Sequence, residues 1–571
     1  VTAAGPAGPA GPQPVDARLF PAAISAFTAS SVAVRIEAGA SLFLALLLIG
    51  ISVGVFCFAG FQSRSRTRWN TLAVQLLFVL LLAAIVLVLS AIGWQRIPDD
   101  WQQAMTERET FQAELRVDTI PLSTGPSSSA AGEGTEFRAT LLMARWPGAA
   151  VPGFGSPAAI SLPVAVRASE AAAWRELNPG DRFLVPGNLL QHPSPRTTAA
   201  AFVPRGPPQE ITRRDSAVLP QLRREFTQRT SELWREWPEA AALLNGMVLG
   251  DRSAQSEELD EAMKVAGLTH LTAVSGSNCL MLLVGVLAVA RWLRLPRRLG
   301  ILIGGVSLAG FVALVGPDPS VIRAAVMAAL GLLAVLGGRR ARAGPLLCLA
   351  VIGMLLSDPW LSVDFGFLLS VAATAGLLAL GRPLYEGLRR CLPDWLALAV
   401  TAPLAAQLFC APLLVLLQPR LTLYAVPANL LAAAAVPPVT ALGMIAVLSS
   451  SLLTPLTTAA LWLAGLGASW VAQIAKITAV LPGAALPWAE GSAGFFLMLL
   501  LSGIIMIGFA AFGPSRSRMR ETGTRWRACF GRTRAGTMLL PLLVTGSAAL
   551  AGWAGYVLAR GSVRIFSGLP W

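Results

Sequence analysis

The chain has 571 residues, 54% of them hydrophobic and 13% charged, with a mean hydropathy of +0.62. This composition excludes an ordinary soluble enzyme and points to a polytopic membrane protein. The net charge of +14 at pH 7 would by itself fit a nucleic-acid binder, but its placement along the chain gives it another meaning.

Residues 1–37 open with the Pro/Gly/Ala-rich VTAAGPAGPAGPQP and read as a disordered tail without a cleavable signal peptide. Apolar runs near 40–60 and 71–93 make 38–94 a transmembrane hairpin. The loop between them carries Arg64, Arg66 and Arg68, which the positive-inside rule puts in the cytoplasm. Residues 107–215 are not membrane-like. FQAELRVDTI, EFRATLLMARW, SLPVAVRAS and DRFLVPGNLLQ have β character and are separated by Gly/Pro/Ser-rich segments. A small extracellular all-β barrel or sandwich is expected. Its eleven arginines balance eleven acidic residues, so it carries no electrostatic footprint for DNA. Residues 216–266 are juxtamembrane. Within them VLPQLRREFTQRTSELWREW (218–237) is amphipathic, with Leu222, Phe226, Leu233 and Trp237 on one stripe. An interfacial helix and a domain-packing helix both fit it.

Spans then recur near 275–293, 299–315, 319–338, 344–357, 362–380, 395–417, 423–449, 456–480, 492–512 and 537–559. Arg-rich RWLRLPRR, GGRRARAG, RPLYEGLRR and the segment 514–536 alternate with the sparsely basic GPDPS, SDPWLSVD and QPRLTLYA. The fold class is therefore a polytopic α-helical membrane protein of about 12 spans, with an inserted β domain and both termini outside. Residues 514–536 become a basic cytoplasmic loop, and 537–571 the last span with the C-terminal end. Twenty of the arginines lie in the cytoplasmic connections, so the basic charge is mostly a topology signal.

Polar groups inside spans are costly and mark candidate functional sites. LNGMVLGDR (244–252) offers Asp251 and Arg252 as a local pair. GLTHLTAVSGSN (267–278) follows. If 268–278 is helical, Ser275 and Asn278 lie one turn apart and His270 two turns from Asn278 on a similar face. Gly276 would let a second backbone approach closely. A capped helix entry accounts for the same Ser and Asn. An intramembrane serine hydrolase built on Ser275 and His270 lacks an acidic orienter and a G-x-S-x-G turn. Arg323 sits one turn into a span, either snorkelling to the interface or fixed toward a cavity. Asp364, at similar depth, is its expected partner. Gln407 lies between Pro403 and Pro412. Asn429 lies in VPANLLAAAAVPPVT, where Pro427, Pro437 and Pro438 interrupt an apolar run. Broken helices at membrane depth survive only where protein or a water-filled cavity covers them.

There is no Walker A motif, so the chain does not itself couple ATP. With two histidines, His192 and His270, and six scattered cysteines without a CxxC, no metal site and no cofactor is expected. From these residues alone, a polytopic protein with a central polar, broken-helix cavity follows, and a small-solute transporter is one way to use it.

The stretches LGDRS (249–253), GLTHLTAVSG (267–276), PSVIRAAVMA (319–328), DPWLSVDFGFLLSVAATAGL (358–377), PLAAQLFCAPLLV (403–415) and VPANLLAAAAVPP (426–438) resemble the ComEC family of bacterial competence DNA-uptake channels. They fall in family order across roughly 220–510. The resemblance implies an OB-fold-like character for the β domain and a competence membrane domain over 267–513. It implies a plasma-membrane channel component for single-stranded DNA in natural transformation. Asp251, Arg252, His270, Ser275, Gly276, Asn278, Arg323, Asp364, Gln407 and Asn429 would then line or gate the channel. It further implies an extracellular DNA receptor and a cytoplasmic helicase or translocase as partners, beside membrane lipids, with a homodimer left open. Many family members continue into a metallo-β-lactamase-like domain. This chain stops at SGLPW, which reads as a short form, and no enzymatic activity is expected of it.

Overall fold

The computed structural model describes residues 19–34, 38–61, 67–94, 110–117, 121–124, 134–145, 162–168, 173–174, 177, 180–190, 200–212 and 218–511, the last range apart from 273, 275, 317, 338–341, 451 and 452. The expected loop 514–536 and last span 537–559 lie outside the described residues. The chain divides into two compact units, 1–224 with 275–368 and 225–274 with 369–571.

In the first unit, α1 (Phe20–Ala33) corrects the expectation of disorder through residue 37. Pro21 is tolerated in the first helical turn. Ala22, Ala23, Ala26, Ala29, Ser30 and Ala33 form a buried stripe of small side chains. The stripe packs α1 closely on α3 (Thr67–Trp94), and Ser25 Oγ donates to Val79 O at 2.9 Å. α2 (Ala38–Phe61) completes the expected hairpin with α3.

The β segment alternates strictly. In β1 (Thr110–Val117) Phe111, Ala113, Leu115 and Val117 point inward. The further strands are β2 (Leu122–Thr124), β3 (Gly134–Arg145), β4 (Leu162–Ala168), β5 (Arg182–Leu190), β6 (Ala200–Pro204) and β7 (Gln209–Thr212). The order β1-β3-β4-β6-β5 closes on itself through β1–β5, and every pair in the ring is antiparallel except the parallel β4–β6. Closure removes the sheet edges that would otherwise invite aggregation. Phe111, Phe137, Trp174, Phe183 and Phe202 fill the centre, and Gly187 leaves room for the Phe202 ring where a Cβ would collide.

The later helices of this unit are α7 (Gly276–Trp292), α8 (Arg297–Val315), α9 (Pro319–Leu336) and α10 (Ala343–Ser357). α4 (Val218–Leu233) begins here, and its buried Arg223 donates to Val315 O at 3.0 Å and to Leu314 O. A cation on the last carbonyls of α8 satisfies orphan acceptors and suits the helix dipole.

The second unit continues α4 and adds α5 (Pro238–Leu249) and α6 (Glu257–Val265). It holds most of α11 (Phe365–Leu388), then α12 (Asp394–Leu417), α13 (Ala425–Ala433), α14 (Val436–Ser449), α15 (Thr454–Ala479) and α16 (Gly491–Ala511). An antiparallel pair of short strands, β8 (Arg420–Thr422) and β9 (Ala485–Pro487), ties the connections after α12 and α15 together. Trp234, at the end of α4, settles over Gly465 of α15, and its Nε1 donates to Leu461 O at 3.4 Å. Of the expected stripe Phe226 is buried, while Leu233 and Trp237 stay exposed.

Among the described residues six helices are long and apolar enough to cross a membrane, or seven if the bent pair α13–α14 counts as one span. Twelve were expected. The segments expected as spans at 275–293, 319–338 and 344–357 form helices of 17, 18 and 15 residues. At about 1.5 Å per residue these reach about 23–27 Å, short of a hydrocarbon core of about 30 Å.

Candidate functional site

The interrupted run around Asn429 is two helices, α13 and α14, bent by 46°. Pro437 and Pro438 lie in the first turn of α14 and supply no backbone N–H, so the helix cannot run through them. At the break Ala435 N turns back to Ala432 O, and Trp470 Nε1 of α15 donates to Leu431 O at 3.2 Å. A backbone group loosened by the break is thus satisfied from a neighbouring helix.

Onto the start of α13 docks the GLTHLT turn. α6 ends at Gly267, whose φ of +68° is a left-handed conformation that suits glycine. A Cβ at Gly267 would lie 2.7 Å from Ala425 Cβ. Asn429 Nδ2 donates to Gly267 O at 3.3 Å and to Ala425 O at 2.8 Å. On the other side, a Cβ on Gly246 of α5 would lie 2.7 Å from Thr272 O. His270 lies in a 3-10 turn, Thr269–Leu271, and stays accessible to solvent.

The expected pairing of Asp251 with Arg252 is not formed. Asp251 Oδ1 accepts from Ser253 N at 3.0 Å and from Ser253 Oγ at 2.6 Å, closing a local turn after the left-handed Gly250. Arg252 is exposed, and no ion pair joins it to Asp251 among the described residues. The cation that reaches across this rim is Arg420. It holds Glu261 of α6 through both terminal nitrogens, and Gln418 Oε1 through Nε at 3.1 Å and Nη2 at 2.9 Å. The Arg420 hydrogen bond keeps the Glu261 carboxyl below its usual pKa. Lys476 reaches Glu239 at 2.6 Å and Glu258 at 3.6 Å. Gln407 is half-buried on α12, with Pro403 and Pro412 both inside that helix.

The first unit holds the other expected residues. Residues 268–278 are not one helix: the 3-10 turn ends at Leu271 and α7 begins at Gly276. The argument that set His270 and Asn278 on one helical face therefore fails. Ser275 lies outside the described residues. Gly276 does permit a close approach, since a Cβ there would lie 2.9 Å from Ala324 Cβ and 3.5 Å from Arg323 Nη2. Asn278 is buried on α7. Arg323 is 7% exposed and contacts Met327 Sδ at 3.3 Å; such burial is the opposite of snorkelling. Asp364 caps α11, accepting from Phe367 N at 2.8 Å. Asp318 caps α9 and Asp358 the 3-10 turn Pro359–Val363 in the same way.

Reading the sequence did not find the roles of Trp470, Gly246 and Arg420. The glycine in LNGMVLG was the available signal for the second of these.

Six helices long and apolar enough to cross a membrane, with a broken helix among them and a polar turn seated on it, fit a polytopic membrane protein. Residues 247–513, which contain the GLTHLT turn, α13 and α14, match the Competence protein family. The chain is also 28% identical over 194 residues to ComE operon protein 3 of Bacillus subtilis (strain 168), a match covering 34% of this chain and 24% of that protein. The match thus spans about a quarter of that relative's length. No solved structure matches the chain. Over residues 247–513 the chain is therefore similar to the ComEC competence proteins.

Proposed function

We propose that the chain is a plasma-membrane channel component through which single-stranded DNA enters during natural transformation. The observation that carries this is the GLTHLT turn docked by Asn429 on the break between α13 and α14, within the segment that matches the competence family. An interrupted helix supported by neighbouring side chains is the architecture a permeation path requires. The turn would form the outer entrance, with His270 presented to solvent beside it. In this reading the residues position and line, and perform no covalent chemistry. The barrel, with its closed ring and single parallel pair, is read as an OB-fold-like domain outside the membrane, and the full count of spans as twelve. Since the chain carries no Walker A motif, the driving force comes from a cytoplasmic helicase or translocase, and an external receptor delivers the DNA.

Deletion of the gene tests the reading when DNA binding to cells, conversion of DNA to a nuclease-protected form, and transformation are measured separately. Binding retained with protection and transformation both lost is expected. Normal transformation overturns the proposal. Lost import of a small solute with transformation intact would favour the transporter alternative.

A further inference from the structure

We propose that Asn429 is the positioning residue of this site: its side-chain amide clamps the turn 267–272 onto the first turn of α13, and loss of that clamp releases the turn. The purpose assigned to the clamp rests on the entrance reading above; the clamp itself rests on geometry within one compact unit.

The two bonds from Asn429 Nδ2 are of different kinds. The bond to Ala425 O, at 2.8 Å, runs four residues back along the same helix. The bond to Gly267 O, at 3.3 Å, spans 162 residues of sequence. Among the described residues the other hydrogen bonds of the turn are local: Gly267 N to Lys264 O, Leu268 N to Met263 O, Leu271 N to Leu268 O, and Thr272 N and Oγ1 to Thr269 O. Among the described residues, Asn429 is the only side chain of another helix that hydrogen-bonds this turn.

The surroundings give the clamp its leverage. Gly267 takes a left-handed backbone and meets Ala425 too closely for any larger residue, so the turn sits directly on α13. Gly246 closes the opposite side against Thr272 O. Leu268 and Thr272 are fully buried while His270 is exposed. The clamp therefore fixes which residues of the turn face protein and which face solvent. α13 has only nine residues and ends at the bend, so displacement of this short helix would carry the turn with it.

A series at position 429 separates the two bonds. Asn429→Ser keeps a hydroxyl able to bond the carbonyl four residues back but is too short for Gly267. Asn429→Ala loses both bonds. Asn429→Asp sets a carboxylate against two carbonyl oxygens. The full chain, in native membranes and carrying Thr272→Cys, is labelled with a thiol reagent. The buried Cys410 of α12 serves as internal reference. Residue 272 is 1% exposed, so its labelling reports release of the turn.

The Ser and Ala variants should both label at 272 about fivefold faster than the parent, the equilibrium weight of one hydrogen bond. Asp should be at least as fast, with Cys410 unchanged in all three. Parent-like labelling in Asn429→Ser, with only Ala fast, would show that the local bond alone matters and overturn the clamp. Faster labelling at 272 and 410 together would mean general loosening and overturn it equally. DNA uptake is followed in parallel. Faster labelling at 272 with unchanged uptake leaves the clamp standing and counts against the entrance reading.

Discussion

At the scale of single residues, Gly276 and Asp364 carry opposite lessons. Gly276 touches α9 where a Cβ would come within 2.9 Å of Ala324 Cβ, so Gly276→Leu must push α7 and α9 apart. Overpacking of this kind costs about 1–3 kcal/mol. Ser275→Ala removes a hydroxyl and little volume, about 1 kcal/mol at most if a neutral hydrogen bond is lost. At matched membrane abundance, uptake should fall far more for Gly276→Leu than for Ser275→Ala; the reverse order would mean that Ser275 does covalent chemistry. Asp364, the expected partner of Arg323, caps α11 through Phe367 N. Asn caps as well as Asp, while Ala costs about 1 kcal/mol. Asp364→Asn should therefore unfold close to the parent temperature, and Asp364→Ala below it. An Asn variant destabilised by about 3–5 kcal/mol would instead signal a buried ion pair left broken. The caps at Asp318 and Asp358, each followed by a proline, were not read from the sequence, although Asp-Pro is a helix-start signal. The meeting of Asn429 with Gly267 gave no such signal, because no local pattern joins positions 162 residues apart.

At the scale of elements, the prolines at 437 and 438 announced a break, and the bend falls just before them. What periodicity could not resolve was α4. Its stripe fits a membrane interface and a packed helix equally, and only the partner decides. For Trp234, just past its end, the partner is α15, where Gly465 leaves room for the indole and Leu461 O accepts from Nε1. Deleting a buried indole costs about 3–5 kcal/mol. Trp234→Ala should lower the thermal unfolding midpoint of the purified protein accordingly, and Trp234→Phe should recover most of the loss. A change below about 1 kcal/mol, ordinary for a surface position, would return α4 to the membrane interface. The early helix α1 escaped notice for a related reason. It has no charged residue and its buried face is all Ala and Ser, a composition that resembles the Pro/Gly/Ala stretch before it and gives no amphipathic signal. Its stability comes from tertiary packing, as for most helices of this length.

At the scale of the whole molecule, the arginines argue for an orientation. Connections such as RPLYEGLRR concentrate cations, while GPDPS and SDPWLSVD carry none; the rim that holds Glu261 and Glu239 is tied instead by Arg420 and by Lys476, one of only two lysines in the chain. A cation-rich connection is held in the cytoplasm during insertion, so the end of α11 should face inward and the barrel outward. The protein supplies its own probe for this. Cys391 is exposed and directly follows Arg389 and Arg390, whereas Cys279, Cys348 and Cys410 are buried. In cells with an intact plasma membrane, a membrane-impermeant maleimide should leave Cys391 unmodified and react with it once the membrane is permeabilised. Arg205→Cys, at an exposed position of the barrel between β6 and β7, should show the opposite pattern and react without permeabilisation. Reaction of Cys391 from outside would invert the map, and the turn at 267–272 would then be a cytoplasmic exit instead of an outer entrance. Labelling of both sites from outside would mean that an even number of crossings separates residues 205 and 391, so that one or all three of the short helices α7, α9 and α10 do not cross the membrane.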